Sequence, residues 1–197
     1  MIDELIKELK AAGLHGWVAN DTVEKQYQAY LIQDGKGGIE TETIRQVDEH
    51  YTSMHVFVEH DGKLGNAAIG RLSRNVPIGQ QVRDAATNAL SVSNPLWELP
   101  DAPKSIPSVQ TCDTAISSNP DQCMQQIIDA VRISSSRQQG VIFNNAEVFV
   151  THKKIRTLTS KGFDGMMDKS ALYMEVAFSR HEQDGRADEL LRCGHAT

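Results

Sequence analysis

The stretch "AEVFVTHKKIRTLTSKGFDGMMDKSALYMEVAFS", residues 146–179, carries the argument for the fold. Ala146, Val148 and Val150 alternate with Glu147 and Phe149, so they share one face of a strand. The run then meets a polar patch, Thr151–Lys154. It alternates again through Ile155 and Leu158 and stops at Gly162. This pattern predicts two short strands separated by the patch. Leu172, Met174, Val176 and Phe178 predict a long third strand. The same order occurs earlier, where "QAYLIQDGKGGIETETIRQ" (28–46) leads to "TSMHVFVEHDG" (52–62).

Each run is preceded by a helix. Ile2, Leu5, Ile6, Leu9 and Ala12 make one apolar stripe, and Gly13 is a natural stop. Asn119-Pro120-Asp121 is a strong helix start, with Met124, Ile127, Ile128 and Val131 as the buried face. A third stripe, Val82, Ala85, Ala86, Ala89 and Leu90, follows Pro77. Asp61-Gly62 predicts a two-residue hairpin turn into the small-residue strand "KLGNAAIGRL". Residues 94–118 hold four of the six prolines and read as an extended connector, with Trp97 and Leu99 pinning it to a surface. "HEQDGRADELLRCGHAT" predicts a turn and a short helix. The expected fold is α+β: two similar α-β-β-β halves, about 1–93 and 119–185, joined by connector 94–118. They form a mixed or antiparallel sheet packed with helices, in a single domain spanning 1–197.

The chain has 197 residues, 40% hydrophobic and 23% charged, with a net charge of −6. No basic tract is present to neutralise phosphates, which disfavours direct nucleic-acid binding. The N-terminus lacks the basic start and apolar run of a secretory signal. No apolar stretch approaches the ~20 residues of a membrane span. Three cysteines at irregular spacing do not suggest a disulfide framework. A soluble cytoplasmic protein is expected.

No strong catalytic motif appears, and no residue is assigned a catalytic, cofactor-binding or metal-binding role; no cofactor is expected. His55 and His60 lie five apart on a strand and face opposite sides. His50 beside Glu49 reads as a solvated edge. His181-Glu182 opens like a zinc-peptidase helix, but Gly185 and Arg186 stand where the second histidine belongs. Cys193-Gly194-His195 offers two soft ligands in what reads as a free tail. Cys112 and Cys123 have no histidine beside them in sequence. "GKGG" (35–38) precedes a strand, so it reads as a hairpin turn rather than a phosphate loop. Asp164 and Asp168 lack further acids at calcium-loop spacing. Met166-Met167 reads as core or a loop contact.

Several weak motifs in one order resemble the N-terminal domain of the TldD/PmbA family, long labelled modulators of DNA gyrase and regarded as metallopeptidases. The stretches are "MHVFVEHDGKLGNAA" (54–68), "VRDAATNALSVSNPLWELPDAP" (82–103) and residues 145–179. The resemblance implies a domain that assembles with a family subunit, as homo- or hetero-oligomer, and helps form a cleft for an extended peptide. The family's HExxxH zinc helix lies beyond the matched region and is absent here, as is its C-terminal domain, so hydrolysis by this chain is not expected. "IETETIRQVDE" (39–49) is the candidate strand edge for such a peptide, its charges discouraging uncontrolled pairing. Two alternatives stand beside this reading. One is a small metal-dependent hydrolase using dispersed histidines, such as His55 with His152 or His181. The other is a sheet-edge interaction module unrelated to proteolysis.

Overall fold

The computed structural model describes residues 1–106, 111–137, 140–182 and 185–196. Four helices and six strands follow one another among the described residues. They are α1 (Ile2–Ala11), β1 (Gly16–Gln33), β2 (Ile39–His60), β3 (Lys63–Ile69), α2 (Ile78–Ala89), α3 (Thr114–Ser118), α4 (Pro120–Ser136), β4 (Val141–Thr159), β5 (Asp164–Glu182) and β6 (Gly185–Ala196). The strands form one antiparallel sheet in the order β3-β2-β1-β4-β5-β6. That order reads the same from either end. Each half is a helix followed by a three-strand meander, α1-β1-β2-β3 and α4-β4-β5-β6, and the first strand of each meander is central. The expected α+β plan of two similar halves is therefore present.

Three elements differ from the sequence reading. The polar patch Thr151–Lys154 does not break a strand; β4 runs through it. The same holds for β2, which joins the polar stretch after Ile39 to the apolar one ending at His60. The reason lies in how the chain divides. It forms two compact units, the first from Met1–Val23, Glu49–Ser108 and Lys154–Met167, the second from Glu24–Asp48, Val109–Lys153 and Asp168–Thr197. Each long hairpin contributes its ends to one unit and its tip to the other. Trp17 and Ala19 of β1 enter the first core, and Tyr27, Ala29 and Leu31 of the same strand enter the second. On β4, Ala146, Val148 and Val150 belong to the second core, and Leu158 packs against the first. A polar patch marks where a strand leaves one core for the other.

The second difference is β6. "RADELLRC" contains good helix formers, yet Ala171–Glu182 pairs antiparallel with Gly185–Ala196. Pairing with β5 overrides local propensity here. Cys193 sits opposite Met174 on this strand and is exposed, so the expected free tail is a strand as far as Ala196. Gln183 and Asp184, part of the expected turn, lie outside the described residues. Third, the end of the connector is helical. Asp113 caps α3 by accepting from the Ala115 amide at 2.8 Å. Pro107–Gln110 of the connector lie outside the described residues, as do Gln138 and Gln139 after α4.

The first unit buries Leu5 and Leu9 of α1 against Met54 and Val56 of β2 and Val82, Ala85 and Ala89 of α2. The Asp61-Gly62 turn has the expected positive φ at both residues, 50° and 69°. β3 then pairs with β2 from Met54↔Ile69 to His60↔Lys63. The connector lies pinned as expected. Trp97 packs edge-on against Phe57 with ring centroids 4.8 Å apart, and Lys161 holds Glu98 at 2.8 Å. At the β4–β5 turn, Arg156 grips Asp164 with two bonds, Nε to Oδ1 at 2.9 Å and Nη2 to Oδ2 at 2.7 Å. These hydrogen bonds hold the Asp164 carboxyl below the ordinary aspartate range. The pair's contribution is present above the unfolded value of about 4 and is lost as pH falls through the depressed native value. Arg156→Met should return the Asp164 titration, followed by NMR, to the ordinary range. An unchanged midpoint would contradict the assignment.

The second unit packs α4 on the sheet. Asn119 accepts from the Gln122 amide at 3.2 Å, with Pro120 in the first turn, as its sequence predicts. Met124, Ile128 and Val131 meet Tyr27, Ala29, Leu31, Val148 and Val176. Asn119→Ala should cost about 1 kcal/mol by loss of the cap. Chemical denaturation checks this, and a change under about 0.3 kcal/mol would mean that the cap is dispensable.

Candidate functional site

The strand segment singled out as a peptide edge begins where the β1–β2 hairpin turns. Asp34 Oδ1 accepts from the amides of Lys36 and Gly38, each at 2.8 Å, and Gly35 and Gly37 have φ of 73° and 88°. "GKGG" is thus a side-chain-braced hairpin turn. β2 leaves it at Ile39, while β3 pairs with β2 from Met54 onward. Ile39–Asp48 therefore runs beyond the end of β3. It is exposed along most of its length, with Ile44 61% exposed. At its start, Arg132 of α4 donates from Nε to the Ile39 carbonyl at 3.2 Å and from Nη2 to Thr41 Oγ1 at 3.2 Å. Thr43 and Arg45 join Gln28, Tyr30 and Glu147 around a shallow cavity of about 190 Å³. The segment thus combines backbone polar groups, side chains of both signs and an adjoining polar depression. Those are the elements needed to add an extended chain to a sheet.

A second concavity of the same unit is apolar. Ile127 and Val131 of α4 face Met174, Val176 and Phe178 of β5 and Leu191 of β6 around about 370 Å³. Cys123 lines it too. Burial, then the nearby Asp113 charge, push its thiol upward, so it remains protonated and acts as a small apolar group.

The histidines sort into separate pairs. His55 meets Asn66 at 3.2 Å, His60 meets Asp61 at 3.3 Å, and His50 meets both oxygens of Asp21 at 3.1 Å. His55 and His60 thus have different partners, in keeping with opposite strand faces. Glu49 accepts from Arg71 at 2.5 Å. The side chains of His181, Glu182 and His195 lie outside the described residues. Met166 and Met167 are not core: Met166 is 67% exposed.

His152 is different. Its Nε2 lies 2.6 Å from Asp168 Oδ1 on the neighbouring strand, and Cys112 comes alongside from the connector. Each of the three offers a ligand atom, and these atoms lie within 4.8 Å of one another. The sequence places them at 112, 152 and 168, too far apart for any spacing rule. Only the antiparallel β4–β5 pairing and the docking of Thr111 beside Lys169 bring them together.

A scan of protein-family models finds none that matches this chain. No curated protein is similar to it in sequence. Solved structures do match. TldE from Thermococcus kodakarensis superposes with a TM-score of 0.66 at 13% identity, over 99% of this chain and 42% of that one. The fold is that of the matched part of TldE. A protein named a modulator of DNA gyrase, from Bacteroides thetaiotaomicron, gives 0.69 at 14% identity over 96% of this chain and 43% of its own. A second protein so named, from Thermotoga maritima, gives 0.59 at 13% identity over 100% and 43%. These matches agree with the TldD/PmbA N-terminal-domain fold expected from the ordered motifs. The chain spans about two-fifths of the TldE chain and of both gyrase-modulator chains. No described helix is long and apolar enough to cross a membrane.

Proposed function

We propose that this chain is a TldD/PmbA-type domain that works in assembly and peptide holding, without hydrolysing peptides itself. The observation that carries the reading is the match of nearly the whole chain to less than half of each TldE-type protein. The Ile39–Asp48 edge supplies backbone groups for an extended peptide. The apolar cleft between α4 and β5 supplies a face for a family subunit, in a homo- or hetero-oligomer. No HExxxH helix occurs in the sequence to supply the family's zinc chemistry. A cytoplasmic location goes with this reading.

Two assays test it. The full chain should co-purify with a full-length family subunit in stoichiometric amount. Incubated with an unfolded model polypeptide, it should leave that polypeptide intact, with or without chelator. Cleavage that a chelator abolishes would replace this reading with the metal-dependent hydrolase. Edge binding of a peptide without association with any family subunit would favour a general interaction module.

A further inference from the structure

We propose that Cys112, His152 and Asp168 bind one divalent transition-metal ion of the zinc type, with a fourth position open to water. This goes beyond the assembly role and stands independently of it. The donor set is a thiolate, an imidazole and a carboxylate. That combination suits zinc or cobalt; calcium and magnesium take all-oxygen sets.

Distances fit with small adjustments. Tetrahedral zinc, with bonds of about 2.0 Å to N or O and about 2.3 Å to S, separates its ligand atoms by about 3.3–3.6 Å. The 2.6 Å contact between His152 and Asp168 must open by under about 1 Å, and no pair of ligand atoms, all within 4.8 Å of one another, starts far from these separations. Cys112 and His152 are partly buried and Asp168 is exposed, which leaves one side of the trio accessible to an ion and to water.

The segment bearing Cys112 is already fixed. Thr111 Oγ1 donates to the Asp168 carbonyl at 2.5 Å, and the Ser170 amide donates to the Thr111 carbonyl at 3.2 Å. The Asp113 amide donates to Ser170 Oγ at 2.8 Å, and Ser170 is itself buried. These bonds clamp residues 111–113 to β5 on both sides of the thiol. Binding therefore orders little new chain, and affinity benefits from that preorganisation. The thiol proton leaves to solvent as the metal–sulfur bond forms. The ion would fasten the end of the connector to the β4–β5 hairpin.

The test titrates the full, reduced, chelator-stripped chain with cobalt(II). A thiolate-to-cobalt charge-transfer band should saturate at one equivalent, and one equivalent of zinc should remove it. Cys112→Ser should abolish the band, and Cys193→Ser should leave it intact. Asp168→Asn should weaken zinc binding by more than about 10-fold. If Cys112→Ser fails to fold, zinc protection of Cys112 from alkylation in the unmodified chain, mapped by mass spectrometry, replaces it. No band at one equivalent, a band that survives Cys112→Ser, or alkylation unaffected by zinc would each overturn the proposal.

Discussion

Gly65→Ala is expected to destabilise the first unit by about 3 kcal/mol, at the upper end of overpacking penalties. Gly65 is buried in β3 where the strand crosses the end of α2. A Cβ built there would stand 2.1 Å from the carbonyl oxygen of Ala89, 2.8 Å from its carbon and 3.2 Å from the oxygen of Val92. All three are backbone atoms, so no rotamer change relieves the clash. Either β3 leaves its register with Val56–Val58, or α2 lifts and exposes Val82, Ala85 and Ala89. Gly70→Ala is the control, because a Cβ there meets nothing within 4 Å. It should change stability by under about 0.5 kcal/mol. Both tryptophans, Trp17 and Trp97, lie in this unit, so their fluorescence in a urea titration reads it directly. Equal midpoints for the two variants would contradict the described β3–α2 contact.

Ile128→Ala is expected to cost about 2–5 kcal/mol in the second unit. Ile128 is fully buried at the middle of α4, between Met124 and Val131. It packs in the core that holds Tyr27, Ala29 and Leu31 of the β1–β2 hairpin and Val148 and Val150 of β4. Truncation removes apolar contacts and leaves a cavity that the sheet, fixed by its ladder, cannot collapse to fill. Ile133→Ala on the same helix is the comparison. Ile133 is half exposed, and its loss should stay within about 0.5 kcal/mol. The second unit contains no tryptophan, so far-ultraviolet circular dichroism and amide exchange along α4 are the readouts. A similar penalty at 128 and 133 would mean that α4 does not lie on this core.

The sequence made local devices readable. The Asn119 cap, the Asp61-Gly62 turn and the Leu5–Leu9 stripe are decided within a few residues, and each is where its pattern puts it. Strand length was less readable. An isolated polar patch such as Thr151–Lys154 reads as a break, because alternation assumes one core on one side. Here β1, β2 and β4 each pass between polar surroundings and one or two cores, and the patch is the crossing. The "RADELLRC" segment misleads for a different reason: an edge strand draws its stability from its partner, β5, and leaves little imprint on its own composition. The polar character of Ile39–Asp48 was legible in its charges, and in the structure this segment runs beyond the residues of β2 that pair with β3. The grouping of Cys112 with His152 and Asp168 was not legible, since sheet register alone creates it. Cys112 itself carried no signal, since it falls in the stretch 94–118 that reads as extended connector and has no histidine beside it in sequence.

The function proposed above has the sheet hold an extended chain along β2 without cutting it. Amide hydrogen exchange of the full chain, with and without an excess of an unfolded model polypeptide, tests this most directly. Slowed exchange should be confined to the Glu40–Asp48 amides while the polypeptide stays intact. Unchanged exchange in that segment, or fragmentation of the polypeptide during the incubation, would contradict it.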